Sequence, residues 1–361
     1  MRELGVSIYP NGTNTDKIMT YLTNAAGLGY KRVFTCFISG LSEDGPIPEY
    51  FFKILRHGKD LGMDIVADVS PDVFRALGVS YTDLEPFYRM GLYGIRLDLG
   101  FSGFEESMMS CNPYGLKIEL NMSNGTRYLE NILSNRPHRE NIIGCHNFYP
   151  HRYTGLGRKH FAECNEQFKN KNIQTAAFIS SQAADHGPWP VNEGLCTLEE
   201  HRGLPLELQL KDLWSEEGID HVIIGNAFAS VEELERCAEI KRNVLELQVV
   251  LPEDLAPIYR KIILEEPHFN RGDVSEYMVR STQSRVKYKG GHFPLYEPKN
   301  IVPGDILIES SLYERYAGEL QIALKPMENS GKTSVVGKIA PEELFLLERI
   351  KPWQKFSFKA V

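Results

Sequence analysis

The sequence predicts an α/β protein: a (β/α)8 TIM barrel over residues 1–242, followed by a small all-β domain over residues 243–361. Three observations carry the prediction. Eight short apolar runs, each followed by an amphipathic stretch, fill the first part, matching the size and rhythm of a closed barrel. Glycines stand at the ends of several helical patterns, just before the next apolar run. After residue 242 the rhythm breaks into short β-like runs separated by Gly and Pro. A doubly wound open sheet is the alternative, but it usually uses fewer strands per domain.

The strand candidates are residues 4–9, 32–37, 64–69, 94–99, 115–122, 142–149, 175–179 and 221–224. Helical patterns cover 15–28, 48–61, 82–90, 104–109, 126–133, 158–171, 205–217 and 232–241. Leu28-Gly29, Leu61-Gly62 and Met90-Gly91 read as left-handed helix caps that need no functional explanation. In the second domain Pro252 and Pro257 flank a short helix. Antiparallel β-like runs follow at 276–281, 306–308, 319–324, 335–339 and 356–359. Gly290-Gly291, Pro303-Gly304 and Ser330-Gly331 mark turns between them.

The 361 residues include 40 basic and 48 acidic side chains, a net charge of −8 that argues against a nucleic-acid partner. With 42% hydrophobic and 24% charged residues the composition is that of a globular chain rather than a disordered one. No window approaches the ~18 uncharged apolar residues of a membrane span. The N-terminus lacks the apolar core and cleavage site of a signal peptide. Six cysteines without CxxC spacing fit reduced thiols in a cytoplasmic protein, with neither a metal nor a cofactor implied.

Strand parity locates the chemistry. Alternate residues of a barrel strand face the helices and the interior, and the helix-facing set must be apolar. Ile95, Leu97 and Leu99 therefore turn Arg96 and Asp98 inward. The same logic turns Lys117, Glu119 and Asn121 inward on the fifth strand and Asp68 inward at the end of the third. Three neighbouring strands thus send Asp68, Asp98 and Glu119 toward the C-terminal face, where barrel active sites are built. The structural alternative is an internal ion-pair network in which Arg96 and Lys117 compensate the acids. As a catalytic pair, Asp98 with Glu119 suits the spacing of a retaining glycosidase and Asp68 with Glu119 that of an inverting one.

Substrate-binding candidates surround this face. His146, Asn147, Tyr149 and Arg152 belong to a run of polar aromatics after strand six that suits sugar stacking and hydroxyl recognition, a buried histidine in a capped loop being the alternative. Tyr9 ends the first strand and Asn121 lies near the end of the fifth. The loop 180–202 is long enough for a lid. Gly225 and Asn226 lead into a helix where barrels often hold phosphate on backbone N–H groups. Arg271 supplies a cation in the second domain.

Taken together, Gly5-Val6-Ser7-Ile8-Tyr9, Arg96-Leu97-Asp98, Glu119-Leu120-Asn121-Met122-Ser123-Asn124, His146-Asn147-Phe148-Tyr149-Pro150, Thr154-Gly155-Leu156 and Tyr313-Glu314-Arg315-Tyr316-Ala317-Gly318-Glu319-Leu320-Gln321 resemble the bacterial 6-phospho-N-acetylmuramidases, whose members long carried the label "outer surface protein". The resemblance spans essentially the whole chain. It implies a glycosidase-type barrel followed by a cyclophilin-like β domain. It also implies a cytoplasmic enzyme that cleaves the β-1,4 bond of N-acetylmuramic acid 6-phosphate–N-acetylglucosamine in peptidoglycan recycling. The sequence departs from many barrel glycosidases in having no carboxylate on strand seven, over 175–180. Competing readings are a metal-dependent sugar-phosphate isomerase or epimerase using Asp68, Asp98, Glu119 and His146, a Schiff-base aldolase using Lys117, and a non-enzymatic sugar-phosphate sensor.

Overall fold

The structure is a computed structural model in which residues 2–37, 48–191, 193–215 and 218–361 are described. The chain divides into two compact units, Met1–Leu213 with Glu217–Glu239, and Trp214–Glu216 with Ile240–Val361.

In the first unit eight strands alternate with helices: β1 (Glu3–Ile8), β2 (Arg32–Cys36), β3 (Asp64–Val69), β4 (Gly94–Leu97), β5 (Lys117–Asn121), β6 (Ile142–Cys145), β7 (Thr175–Ile179) and β8 (His221–Ile224). Each pairs in parallel with the next, and β8 returns to β1, so the barrel is closed. The helices bury an apolar stripe against it, as Ile18, Tyr21, Leu22 and Ala25 do in the helix Thr15–Gly27. Gly29, Gly62 and Gly91 have φ of 84°, 73° and 88°, the left-handed caps expected of them. The helical pattern expected over 205–217 is observed as Leu206–Ser215; residues 216–217 lie outside the described ones.

Three expectations are corrected. β4 and β6 end at Leu97 and Cys145, sooner than the apolar runs suggest, because residues 98–99 and 146–149 leave the sheet to form the rim. A helix not foreseen, Pro71–Leu77, precedes the shorter one at Glu85–Arg89; Ser70 caps it and Gly78 closes it at φ 61°. Pro257 opens the helix Pro257–Glu265 instead of bounding it, since a proline lacking N–H sits without loss in a first turn.

The second unit holds β9 (Leu245–Val250), β10 (His268–Phe269), β11 (Met278–Ser281), β12 (Asp305–Glu309), β13 (Leu320–Ala323), β14 (Thr333–Ile339) and β15 (Lys355–Ala360), in the order β10-β15-β9-β14-β12-β13-β11. Pairing is antiparallel except between β9 and β15, which corrects the all-antiparallel expectation. The two edge strands approach each other, with the Arg271 N–H donating to the Arg280 carbonyl at 3.0 Å. The sheet is therefore nearly closed around Leu247, Val249, Ile306, Ile308, Ile322 and Phe356.

Barrel closure leaves no room at certain backbones. A Cβ on Gly94 would lie 2.6 Å from the Lys117 carbonyl oxygen on the adjacent strand, a contact that no side-chain rearrangement relieves. Gly94→Ala is expected to cost about 1–3 kcal/mol in urea unfolding; an unchanged midpoint would show that the strands can part to admit a methyl group.

Candidate active site

On β3, β4 and β5 the inward parity falls on Asp68, Arg96 and Glu119, which are register neighbours across the sheet. The opposite parity, Ile65, Ala67, Ile95, Leu97, Ile118 and Leu120, is buried and apolar, as expected for the helix side. Charge inside a barrel must be paired, because removal from water opposes ionisation. Arg96 Nη1 donates to Asp68 Oδ1 at 3.0 Å and to Asp98 Oδ1 at 3.2 Å, while Nη2 donates to Asn147 Oδ1. Glu119 accepts from Arg32 Nη2 at 2.5 Å.

The three acids differ in access. Side-chain exposure is 42% for Asp98, 11% for Asp68 and 0% for Glu119. Two arginines thus face three carboxylates, and the deficit falls on Asp68. Its pKa is pushed up to about 6, first by burial and then by Asp98 and Glu119, against the attraction of Arg96. Burial opposes the charge on Arg96 and Arg32 as well, but Asp68 and Glu119 outweigh it and hold both pKa values above the ordinary arginine value. The compensation expected of Lys117 is corrected. Its Nζ donates to the Glu140 carbonyl at 2.8 Å and to Asn141 Oδ1 at 3.2 Å, at the N-terminal end of β5 and away from the rim. The partner of Glu119 is instead Arg32, the first residue of β2.

The other candidates divide into rim residues and supports. Tyr9 is buried, with its ring in the barrel core and its hydroxyl on the Gly225 carbonyl at 2.5 Å. His146 is fully buried, which leaves it no face for a sugar. Its Nε2–H donates to Asn165 Oδ1 at 2.9 Å, and Nδ1 accepts from the Ser123 hydroxyl at 3.1 Å. Burial lowers its pKa to about 4, so it is neutral. Ser123 Oγ in turn accepts from the Asn147 N–H at 2.8 Å, which places the Asn147 amide against Arg96. Asn121 Oδ1 accepts from the Ser123 N–H at 3.0 Å, and its Nδ2 lies 3.5 Å from the Asp98 carbonyl. Tyr149 is half-buried, with its carbonyl accepting from Arg202 at 2.9 Å. Arg152 is exposed and pairs with Glu193 at 3.3 Å.

Gly225 and Asn226 do not make an anion cradle. A Cβ on Gly225 would lie 2.3 Å from the Leu195 carbonyl oxygen, so this glycine admits a close backbone approach. Asn226 uses its whole amide to pin the loop after β7, accepting from the Ser181 N–H and donating to the Ser181 and Ala184 carbonyls. At the following helix, Val231–Glu239, the Glu233 carboxylate accepts from the N–H groups of Ser230 and Gln182. A carboxylate already occupies the place expected for phosphate.

A cleft of about 510 Å³ opens beside these residues at the C-terminal ends of β6 to β8, lined by Arg152, Tyr153, Ser181, Glu193, Arg202 and Asn226. Tyr153 is 87% exposed and held at φ 68°, with its N–H donating to Glu199 Oε1 at 2.8 Å. Arg271 lies on the second unit, paired with Asp273 at 2.6 Å. The metal-ligand set expected of the isomerase reading is not assembled: its acids face arginines, and its histidine is engaged elsewhere. Among the described residues the metal-capable cluster is Glu200, His201 and Asp212, and Arg158 bonds both of its carboxylates.

Comparison with known proteins adds a family. The N-terminal model of the 6-phospho-N-acetylmuramidases matches residues 4–239 and the C-terminal model residues 245–359. A crystal structure described as an uncharacterized B. cereus protein is 46% identical with TM-score 0.90, over 99% of each chain. A conserved Enterococcus faecalis protein of unknown function is 23% identical with TM-score 0.68, over 99% of this chain and 96% of that one, and shows the fold alone. No curated protein matches the chain.

The neutral His146 makes a pH prediction. Its native pKa of about 4 lies below the unfolded value near 6.5. The unfolded chain therefore takes up the proton first, and stability falls as pH drops from 6.5 toward 4. Between pH 7.5 and pH 5, wild type should lose about 2 kcal/mol more than His146→Gln in urea unfolding; equal losses would mean that the ring is protonated in the native state.

Proposed function

Because the chain belongs to the 6-phospho-N-acetylmuramidase family, we propose that it hydrolyses the β-1,4 bond of N-acetylmuramic acid 6-phosphate–N-acetylglucosamine, with Asp68 as general acid and Asp98 as nucleophile. The observation that carries the reading is the pair of carboxylates on one guanidinium: a mostly buried acid with pKa about 6, beside a solvent-accessible one. A proton-holding carboxyl group beside a second, accessible carboxylate is what acid–base glycoside cleavage requires.

Asp68, protonated, gives its proton to the glycosidic oxygen as Asp98 bonds to the anomeric carbon, releasing N-acetylglucosamine. The Asp68 carboxylate then takes a proton from water, whose oxygen displaces Asp98 and frees N-acetylmuramic acid 6-phosphate. The two oxygens lie 3.0 and 3.2 Å from one nitrogen, so they are no more than about 6.2 Å apart. That is short of the ~6.5–9.5 Å of inverting enzymes and favours retention. Glu119, sealed against Arg32, contributes field rather than contact. A phosphorylated substrate of this kind fits a cytoplasmic enzyme acting in peptidoglycan recycling after phosphorylating uptake, and the described residues include no helix long and apolar enough to cross a membrane.

The test is incubation with the disaccharide, followed by mass spectrometry and by NMR of the first-formed anomer. Asp68→Asn and Asp98→Asn are each expected to lower kcat by roughly 10²–10⁴-fold, and kcat/KM for wild type should fall above pH 6 as Asp68 loses its proton. The β anomer should form first. Near wild-type turnover in both amide variants would remove the assignment, and an α anomer would require an inverting pair.

A further inference from the structure

The proposed substrate carries a phosphate, and five arginines of the barrel unit are already engaged. Arg32, Arg96, Arg152, Arg158 and Arg202 each face a carboxylate, and Glu233 holds the helix start after β8. The second unit is different. A cleft of about 1060 Å³ lies wholly within it, lined by Arg271, Arg280, Arg285, Lys289, Arg315 and Tyr316, with Asp273 and Glu314 also at its wall. Five cations around one cleft stand out in a chain whose net charge is −8.

Their engagement is uneven. Arg271 is matched by Asp273. Arg280 and Arg285 share one carboxylate, that of the fully buried Glu319, at 2.7 and 2.8 Å, so two forks are held in place by a single negative charge. Lys289 and Arg315 are exposed and have no carboxylate partner among the described residues. The Tyr316 ring, 43% exposed, lies beneath the Arg285 guanidinium at 5.4 Å and so presents a braced aromatic face. Arg315 and Tyr316 follow Glu314, whose φ of 40° turns the chain sharply at the cleft wall. Preset arginine forks match phosphate oxygens bidentately, and an aromatic face beside them suits a sugar ring.

We propose that this cleft of the second unit binds a phosphorylated sugar acid, its phosphomonoester on Arg285, Lys289 and Arg315 and its ring against Tyr316. The inference deepens the reading of the substrate given above and rests on it for the identity of the sugar. The Tyr313–Gln321 motif then has a role: it carries Arg315 and Tyr316 at one end and the anchoring Glu319 near the other.

The experiment is calorimetric titration of the full-length chain with N-acetylmuramic acid 6-phosphate, N-acetylmuramic acid and inorganic phosphate, repeated on Lys289→Ala/Arg315→Ala and on Lys289→Arg/Arg315→Lys. Both substituted side chains are exposed, and an unchanged Tm confirms that each variant folds. The phosphorylated sugar is expected to bind wild type at least tenfold tighter than either other probe. The alanine pair should lose at least tenfold of that affinity, and the conservative pair should keep most of it. Wild-type affinity in the alanine pair would overturn the proposal, as would equal binding of inorganic phosphate or of the unphosphorylated sugar. Disaccharide turnover by wild type separates the two readings. Cleavage with unchanged affinity in the alanine pair defeats only the cleft, whereas cleft-dependent binding without cleavage defeats only the glycosidase.

Discussion

Two arginines neutralise three carboxylates inside the barrel, and the account of this protein depends on that imbalance. Arg32 is committed to Glu119, out of reach of water. Arg96 must then serve both Asp68 and Asp98 from one nitrogen. An acid in a mostly buried site with half a counter-charge holds its proton more tightly than one in water. The result is a carboxyl group that titrates near neutrality next to one that solvent reaches. Removing one member of a buried pair leaves an uncompensated charge, typically costing about 3–5 kcal/mol. The arginines are therefore a structural necessity of the buried acids.

Much of this was legible in the sequence, because parity in a closed parallel barrel is a hard constraint. Once Ile95 and Leu97 must face helices, Arg96 has only the interior, and the same holds for Glu119 between Ile118 and Leu120. Arg32 escaped because a charge at the first position of a strand reads equally well as a solvated end. The reach of its side chain to β5 is a property of the closed barrel and not of any local pattern. His146 was ambiguous for a related reason. The polar run after β6 has the composition of a binding loop, yet its first residue still belongs to the packed interior, stacked on Phe161 at 4.6 Å.

The second unit was less legible. β9 alternates Leu245, Leu247 and Val249 with Glu246 and Gln248, a clear strand pattern, but it follows so closely on the last barrel helix that the change of rhythm hid it. β10 is two residues long and is defined by its pairing with β15 alone. The motif Tyr313–Gln321 stood out in the sequence without a chemical reason; the buried Glu319 under two arginines supplies one. The family models add the reaction class, and the charge arrangement adds candidate residues, which neither source provides alone.

The central claim is tested most directly by carbon-13 NMR of protein labelled at aspartate carboxyl carbons, titrated from pH 3 to pH 9 and assigned with Asp68→Asn. The account predicts one carboxyl with a midpoint near 6, absent from the Asp68→Asn spectrum and shifted higher in Arg96→Met, where its counter-charge is gone. An Asp68 midpoint near the ordinary aspartate value of about 4 would contradict it, because Asp68 would then hold no proton to donate near neutral pH.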